Sequence, residues 1–257
     1  MNGPIRFAFF DVGATLIQPY PSMGAIYARV LEPLGIEAPT RDFLRAFSIT
    51  WDEMTEEVGL GRDRFHAFPG GENSYWSRYV ERVLERVNEI TEADPRSLAG
   101  RSASECTREA TVALHSAFSD PNAWQVFPEV RGVLAELRRR GVRLGVISNW
   151  DSRLPMLLER LNLASFFETV VYSSAAGGCG HEKPSPVIFK TALDRAGASA
   201  AGSIHVGDDL RADVEGAQAA GLSAVLIDRK TPLDSECVAP GSGRISSLVE
   251  LLDLIPR

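Results

Sequence analysis

The chain has little cysteine, almost no lysine and no long apolar run. Its three cysteines, Cys106, Cys179 and Cys237, are widely spaced and odd in number. With no Cys-x-x-Cys pair and no mixed Cys/His pattern, neither a disulfide framework nor a zinc site is indicated. No stretch of about 18 apolar residues occurs, so no membrane span is expected. The opening MNGPIRFAFFDVG has a short apolar run that reads as a strand, without the longer apolar region and small-residue cleavage site of a signal peptide. A cytoplasmic location is the default. Only three of the 27 basic residues are lysines, Lys183, Lys190 and Lys230. No basic cluster is interleaved with aromatics and the net charge is −7, so nucleic acid is not an expected partner. Anionic small molecules stay compatible with that charge, because a bound metal inverts the local sign of the field. Without a heptad seam, monomer and homodimer are both left open.

What is present is ordinary globular material, 44% hydrophobic and 24% charged over 257 residues. That length suits a large α/β domain with a smaller companion. Five short apolar runs read as buried parallel strands: Ile5–Phe10, Val142–Ser148, Thr169–Tyr172, Ser203–Val206 and Ala224–Ile227. They lack polar alternation, as strands covered on both faces do. Helical stretches separate four of them from the next: Pro128–Arg140, Leu154–Leu161, Val187–Ala196 and Leu210–Ala220. This alternation predicts a doubly wound, Rossmann-like parallel sheet. Between about Gln18 and Asn122 only helical candidates occur: Met23–Leu34, Arg41–Glu57, Asn73–Ile90 and Ala103–Phe118. The expected division is a core of residues 1–17 and 123–257 with an inserted all-helical domain over 18–122, and a last helix over Ile245–Leu254.

In an open parallel sheet, ligands bind at the carboxyl ends of the strands. The first strand ends in Asp11-Val12-Gly13-Ala14-Thr15 and the second in Ser148-Asn149. The fourth ends in Gly207-Asp208-Asp209, with Asp213 a turn later, and Lys183 opens the helix after the third. Two acidic strand ends suit a hard divalent cation, since magnesium needs only one or two carboxylates when phosphate and water complete its shell. A hydroxyl, a lysine and backbone N–H groups suit phosphoryl oxygens, and a carboxylate can attack phosphorus in line.

The ordered set DVGATL, VISNWDSRL, GHEKPSPVIF and HVGDDLRAD resembles the four motifs of the haloacid dehalogenase-like (HAD) hydrolase superfamily. The insertion after the first motif resembles the helical cap of its subfamily IA. The second and third motifs look most like the branch called haloacid dehalogenase-like hydrolase domain-containing. The resemblance implies a Mg²⁺-dependent hydrolase of small phosphorylated metabolites. Asp11 would be nucleophile and metal ligand, the Gly13 carbonyl and Asp208 further ligands, and Asp209 and Asp213 a second ring around the metal. Ser148, Asn149, Lys183 and Thr15 would serve the phosphoryl group and its loop, with Lys183 also neutralising the nucleophile. Arg62, Arg64 and His66, a polar cluster in a Gly-rich loop, are candidate substrate contacts from the cap, whereas Trp51, Tyr75 and Trp76 read as packing. His205 reads as a satisfied core histidine.

The match departs from the family at one position. Phosphatases of this superfamily usually carry a second aspartate two residues after the nucleophile, where this chain has Gly13. That glycine reads both as a turn residue and as a missing acid. Loss of general acid–base help costs about 10²–10⁴-fold in rate, roughly 3–5 kcal/mol of barrier. Three readings stay open: a phosphatase restricted to good leaving groups, a 2-haloacid dehalogenase-like hydrolase, and a phosphate-binding protein with little turnover. The response-regulator receiver, with its acidic pair early and its phospho-acceptor later, fails on the order of the motifs.

Overall fold

The computed structural model describes residues 4–94, 101–229 and 243–255. Lys230 and Cys237 lie outside them, as do parts of the expected core and helical-domain ranges. Of the described residues, those within Met1–Gln18, Leu60–Asp63 and Val126–Arg257 form one compact unit. Those within Pro19–Gly59 and Arg64–Gln125 form another. The four-residue return at Leu60–Asp63 interrupts what the sequence presents as one continuous insertion.

The first unit is a six-stranded sheet. Its strands are Phe7–Phe10 (β1), Arg143–Ser148 (β4), Thr169–Tyr172 (β5), Ser203–Gly207 (β6), Ser223–Ile227 (β7) and Gly243–Ile245 (β8). They run in the order β5-β4-β1-β6-β7-β8, every pair parallel. The sequence pattern misses β8, three residues long, and reads Ile245–Leu254 as one helix. The chain instead forms β8, a single 3₁₀ turn at Leu248–Glu250 and a short helix at Leu251–Leu254. Two other short strands, Ile17–Pro19 (β2) and Trp124–Val126 (β3), pair as a ribbon and also escape the pattern.

All four residues of β1, Phe-Ala-Phe-Phe, are buried, which is why the strand shows no alternation. Helices Val130–Arg139 (α5), Leu154–Arg160 (α6) and Pro186–Ala196 (α7) join successive strands. After β6 the chain winds as a π-helix over Leu210–Glu215 before a last α-turn at Gly216–Ala219. Such wide turns are frequent at functional sites, and this one carries Asp213. Because β1 lies between β4 and β6, the carboxyl end of the central strand is flanked by the ends of the strands carrying Ser148 and Asp208.

The second unit is a four-helix array, Met23–Leu31 (α1), Thr40–Val58 (α2), Gly71–Thr91 (α3) and Ala103–Ser119 (α4). Its core is aromatic: Tyr27, Phe43, Tyr75 and Tyr79 are buried, with Phe47, Trp51, Trp76 and Phe118 packed against them. Ser102 caps α4 in a reciprocal capping box with Glu105, the local signal that starts this helix. Among the described residues, no helix is long and apolar enough to cross a membrane.

Candidate active site

At the sheet's carboxyl end the structure brings together five of the residues singled out in the sequence. Lys183 Nζ donates to Asp11 Oδ1 at 2.7 Å and to Asp213 Oδ1 at 2.5 Å. Oxygen atoms of Asp11, Asp208 and Asp213 lie within 4.8 Å of one another. Ser148, buried at the end of β4, stands close enough to the Asp11 carboxylate to favour its charged form. Asp213 is held from every side: Oδ1 also meets His205 Nε2 at 2.8 Å, and Oδ2 accepts the Asp209 N–H at 3.0 Å. Gly207 permits this arrangement, since a Cβ there would stand 2.1 Å from the Asp213 Cγ.

Three carboxylates against one ammonium leave the cluster with two negative charges unmatched. Burial and then the Asp213 charge push the Asp11 carboxyl up, partly offset by Lys183. Burial disfavours the Lys183 ammonium, but Asp11 and Asp213 more than offset it and hold the pKa above its usual value. Burial opposes the Asp213 charge too, yet Lys183 and His205 win and hold its carboxyl well below the carboxylate range. The Asp208 carboxyl is pushed up to about 8 by desolvation, then by Asp11 and Asp213. Its side chain reaches solvent, and the two neighbouring carboxylates, with oxygens within 4.8 Å, disfavour its charged form. Unmatched negative charge on oxygen ligands is what a hard divalent cation relieves, so the donor set fits magnesium.

A family model for haloacid dehalogenase-like hydrolases matches residues 5–221. The chain belongs to that family. It is 37% identical over 266 residues to haloacid dehalogenase-like hydrolase domain-containing protein 3 of Mus musculus, an alignment covering 98% of this chain and 95% of that protein. It is 29% identical over 240 residues to the phosphoserine phosphatase of Thermus thermophilus, covering 88% and 89% respectively. Among solved structures, the magnesium-bound HAD-hydrolase YfnB of Bacillus subtilis superposes with a TM-score of 0.71 at 18% identity, covering 98% and 99% of the two chains.

Other residues that the HAD resemblance singles out have different surroundings. Asn149 spends its carboxamide on the Lys183 backbone, accepting from N at 2.7 Å and donating to O at 3.1 Å. It therefore sets the position of Lys183. Asp209 accepts from the N–H groups of Arg211 and Ala212 at 2.8 and 2.7 Å, the ordinary use of aspartate at a helix start. Thr15 is fully buried, and its Oγ1 has no hydrogen-bond partner among the described residues. The left-handed backbone of the loop falls on Ala14, at φ 53°, rather than on Gly13, so turn geometry does not explain the glycine. The Gly13 carbonyl accepts the Thr15 N–H at 2.6 Å, and a carbonyl keeps a second lone pair for a ligand.

The Gly-rich loop cluster is divided. Arg62 is exposed in the first unit, its backbone bridged to His181. Asp63 beside it is buried and accepts the Ala175 N–H at 3.0 Å. Arg64 is buried in the second unit, its guanidinium 4.2 Å from the Trp51 ring centroid and near that of Tyr75, a cation–π contact that anchors the aromatic core. His66 is exposed.

Sequence reasoning missed Arg229, just past β7. Its guanidinium donates to the carbonyls of Ala14 and Thr15 at 3.3 and 2.8 Å and to Glu129 at 2.7 Å. It also stacks 3.6 Å from the centroid of Phe127. A charged residue at the end of another strand of the same sheet was the available signal. His205 is buried as expected, but it contacts the site directly through Asp213, while its Nδ1 has no partner among the described residues.

Proposed function

We propose that the chain is a Mg²⁺-dependent phosphohydrolase acting on small phosphorylated metabolites through an aspartyl-phosphate at Asp11. The observation that carries this reading is the bridge from Lys183 to both Asp11 and Asp213, with Asp208 in the same oxygen cluster. Asp11, Asp208 and the Gly13 carbonyl would hold the cation, backed by Asp213 and Asp209. When bound, it offsets negative charge on the carboxylates and on the phosphoryl oxygens. The helical unit, residues 19–59 and 64–125, would serve as a cap that excludes water, with Arg62 and His66 the exposed candidates for substrate contact.

The chain's own groups supply the remaining chemistry. Lys183 favours the ionised form of Asp11 and orients it, and Ser148 offers a hydroxyl to the phosphoryl oxygens. An Asp11 oxygen attacks phosphorus, and the bond to the leaving oxygen breaks with its electron pair going to that oxygen. Water then attacks phosphorus, its proton passing to solvent, and the carboxylate is regenerated as phosphate departs. With glycine at position 13 no side chain there protonates the leaving oxygen. Leaving groups of low pKa, aryl or acyl, are therefore favoured over alkyl alcohols. The test is a panel of alkyl, aryl and acyl phosphates with Mg²⁺ or chelator, on wild type and Asp11→Asn. Full activity in Asp11→Asn rules out the covalent route.

Gly13 also favours a second reading, 2-haloacid dehalogenation, in which no leaving-group proton is needed. Asp208 weighs against it, since a metal-free site gains nothing from the repulsion that raises its pKa. Halide release that survives chelator would decide for it. Ligand-induced stabilisation by phosphate without hydrolysis would instead favour a binding protein.

A further inference from the structure

His205 is buried in the middle of β6, with Phe9 and Ala224 as its register partners on the two neighbouring strands. Its ring meets Phe189 of α7 edge to face, with centroids 5.3 Å apart and planes at 86°. Among the described residues its hydrogen bonding is confined to Nε2, which lies 2.8 Å from Asp213 Oδ1, while Nδ1 has no partner. A ring that only filled this apolar core would have no use for nitrogen, which costs free energy when buried without a partner.

Charge fixes the direction of the bond to Asp213. Burial opposes the Asp213 charge, but Lys183 and His205 prevail and keep it ionised. An ionised carboxylate only accepts, so Nε2 carries a proton and donates it. The other donor on that oxygen, Lys183 Nζ, stands at the end of a long flexible stem, whereas the imidazole stands on an interior strand of the sheet. His205 thus locates Oδ1 from the rigid side, and the Asp209 N–H locates Oδ2 at 3.0 Å. Lys183 bridges the oxygen so placed to Asp11 Oδ1. Supporting groups on rigid elements are what hold a reacting constellation in its productive geometry. We infer that His205 is a positioning residue, fixing through Asp213 the ammonium that orients the nucleophile Asp11. Its effect on rate rests on the phosphohydrolase reading above; its effect on Lys183 does not.

Three substitutions separate the donor from the ring. Glutamine carries its amide nitrogen the same number of bonds from Cα as Nε2, and asparagine the same number as Nδ1. Phenylalanine keeps a ring to meet Phe189 but donates nothing. Full-length wild type, His205→Gln, His205→Asn and His205→Phe are compared with Mg²⁺ on p-nitrophenyl phosphate. His205→Phe and His205→Asn lower kcat about tenfold, as a small displacement at the reacting groups does, and His205→Gln restores it to within about threefold of wild type. The reverse order, phenylalanine active and glutamine impaired, means that packing alone matters and overturns the inference. Equal kcat in all four proteins overturns it too.

A second measurement needs no turnover and no metal. The chain has three lysines, so protein labelled with ¹³C,¹⁵N-lysine gives few side-chain signals, and Lys183→Met identifies that of Lys183. The Lys183 Cε and Nζ signals shift in His205→Phe and return to near their wild-type positions in His205→Gln. Imidazole ¹⁵N spectra of wild type, which require no variant to fold, show a proton on Nε2. Unmoved lysine signals in His205→Phe, or an Nε2 without a proton, overturn the inference. If wild type hydrolyses nothing while the lysine signals move as stated, the phosphohydrolase reading fails and the positioning of Lys183 stands.

Discussion

The ammonium of Lys183 lies 2.7 Å from Oδ1 of Asp11, and both residues are buried, Lys183 at 4% exposure and Asp11 at 8%. The same ammonium serves Asp213, so one cation is shared by two carboxylates withdrawn from water. Removing it leaves both uncompensated. Lys183→Met is expected to destabilise chelator-treated protein by about 3–5 kcal/mol, the usual result of breaking a buried pair from one side. The double variant Lys183→Met/Asp11→Asn recovers part of that loss, because one orphaned charge goes with it. Urea denaturation of the four proteins of this cycle measures the coupling. Both variants that lack Lys183 are expected to lose turnover on the phosphate panel.

The acidic cluster makes stability depend on pH in a defined direction. The folded-state pKa of Asp208 is raised to about 8, and that of Asp11 is also raised. An aspartate in the unfolded chain titrates near 3.9. Between about 4 and 8 the folded state therefore binds more protons than the unfolded one, and stability falls as pH rises. Asp213 acts oppositely, but its lowered pKa confines its effect to pH below the ordinary carboxylate range. Metal-free protein should thus melt at a lower temperature at pH 8 than at pH 5.5. Added Mg²⁺ should raise the melting temperature more at pH 8, where it replaces fewer protons. Asp208→Asn should flatten both trends. A melting temperature that rises steadily with pH in wild-type protein would contradict this account of the cluster.

The sheet and its motifs were legible because their determinants are local. Fully buried parallel strands read as apolar runs, and the chemistry-bearing residues sit directly at their ends, as Asp11, Ser148 and Asp208 do. The helices of the second unit were legible from their periodic apolar faces. Short edge elements such as β8 and the β2–β3 ribbon were not, because three residues show no period. Side-chain contacts were hidden too: Arg229 on the Ala14 and Thr15 carbonyls, His205 on Asp213. Asn149 and Asp209 make contacts that a motif does not show. Their identities fit a ligand site, and no spacing reveals that the Asn149 carboxamide is bonded to the Lys183 backbone or that Asp209 Oδ1 caps a helix start.

Arg229 makes the last of these hidden contacts testable. The nucleophile loop holds Ala14 at φ 53°, a conformation that costs a residue with a Cβ about 1–2 kcal/mol. Arg229 pays that cost by binding the carbonyls of Ala14 and Thr15 while its plane rests on Phe127. Arg229→Met keeps most of the packing and removes the donors, so the loop can relax and move Asp11 off line. A misplacement of about 1 Å at the reacting atom is worth on the order of 100-fold in rate, so kcat should fall by roughly 10–100-fold. KM should move much less, because Ser148 and Lys183 stand on other elements. Arg229→Lys should rescue poorly, since one ammonium cannot reproduce a planar fork that bridges two carbonyls and Glu129. Adding Ala14→Gly to Arg229→Met should recover stability by removing the left-handed penalty, but not kcat, because a glycine loosens the loop further. Recovery of both would mean that strain at Ala14, and not the position of the loop, is what Arg229 controls.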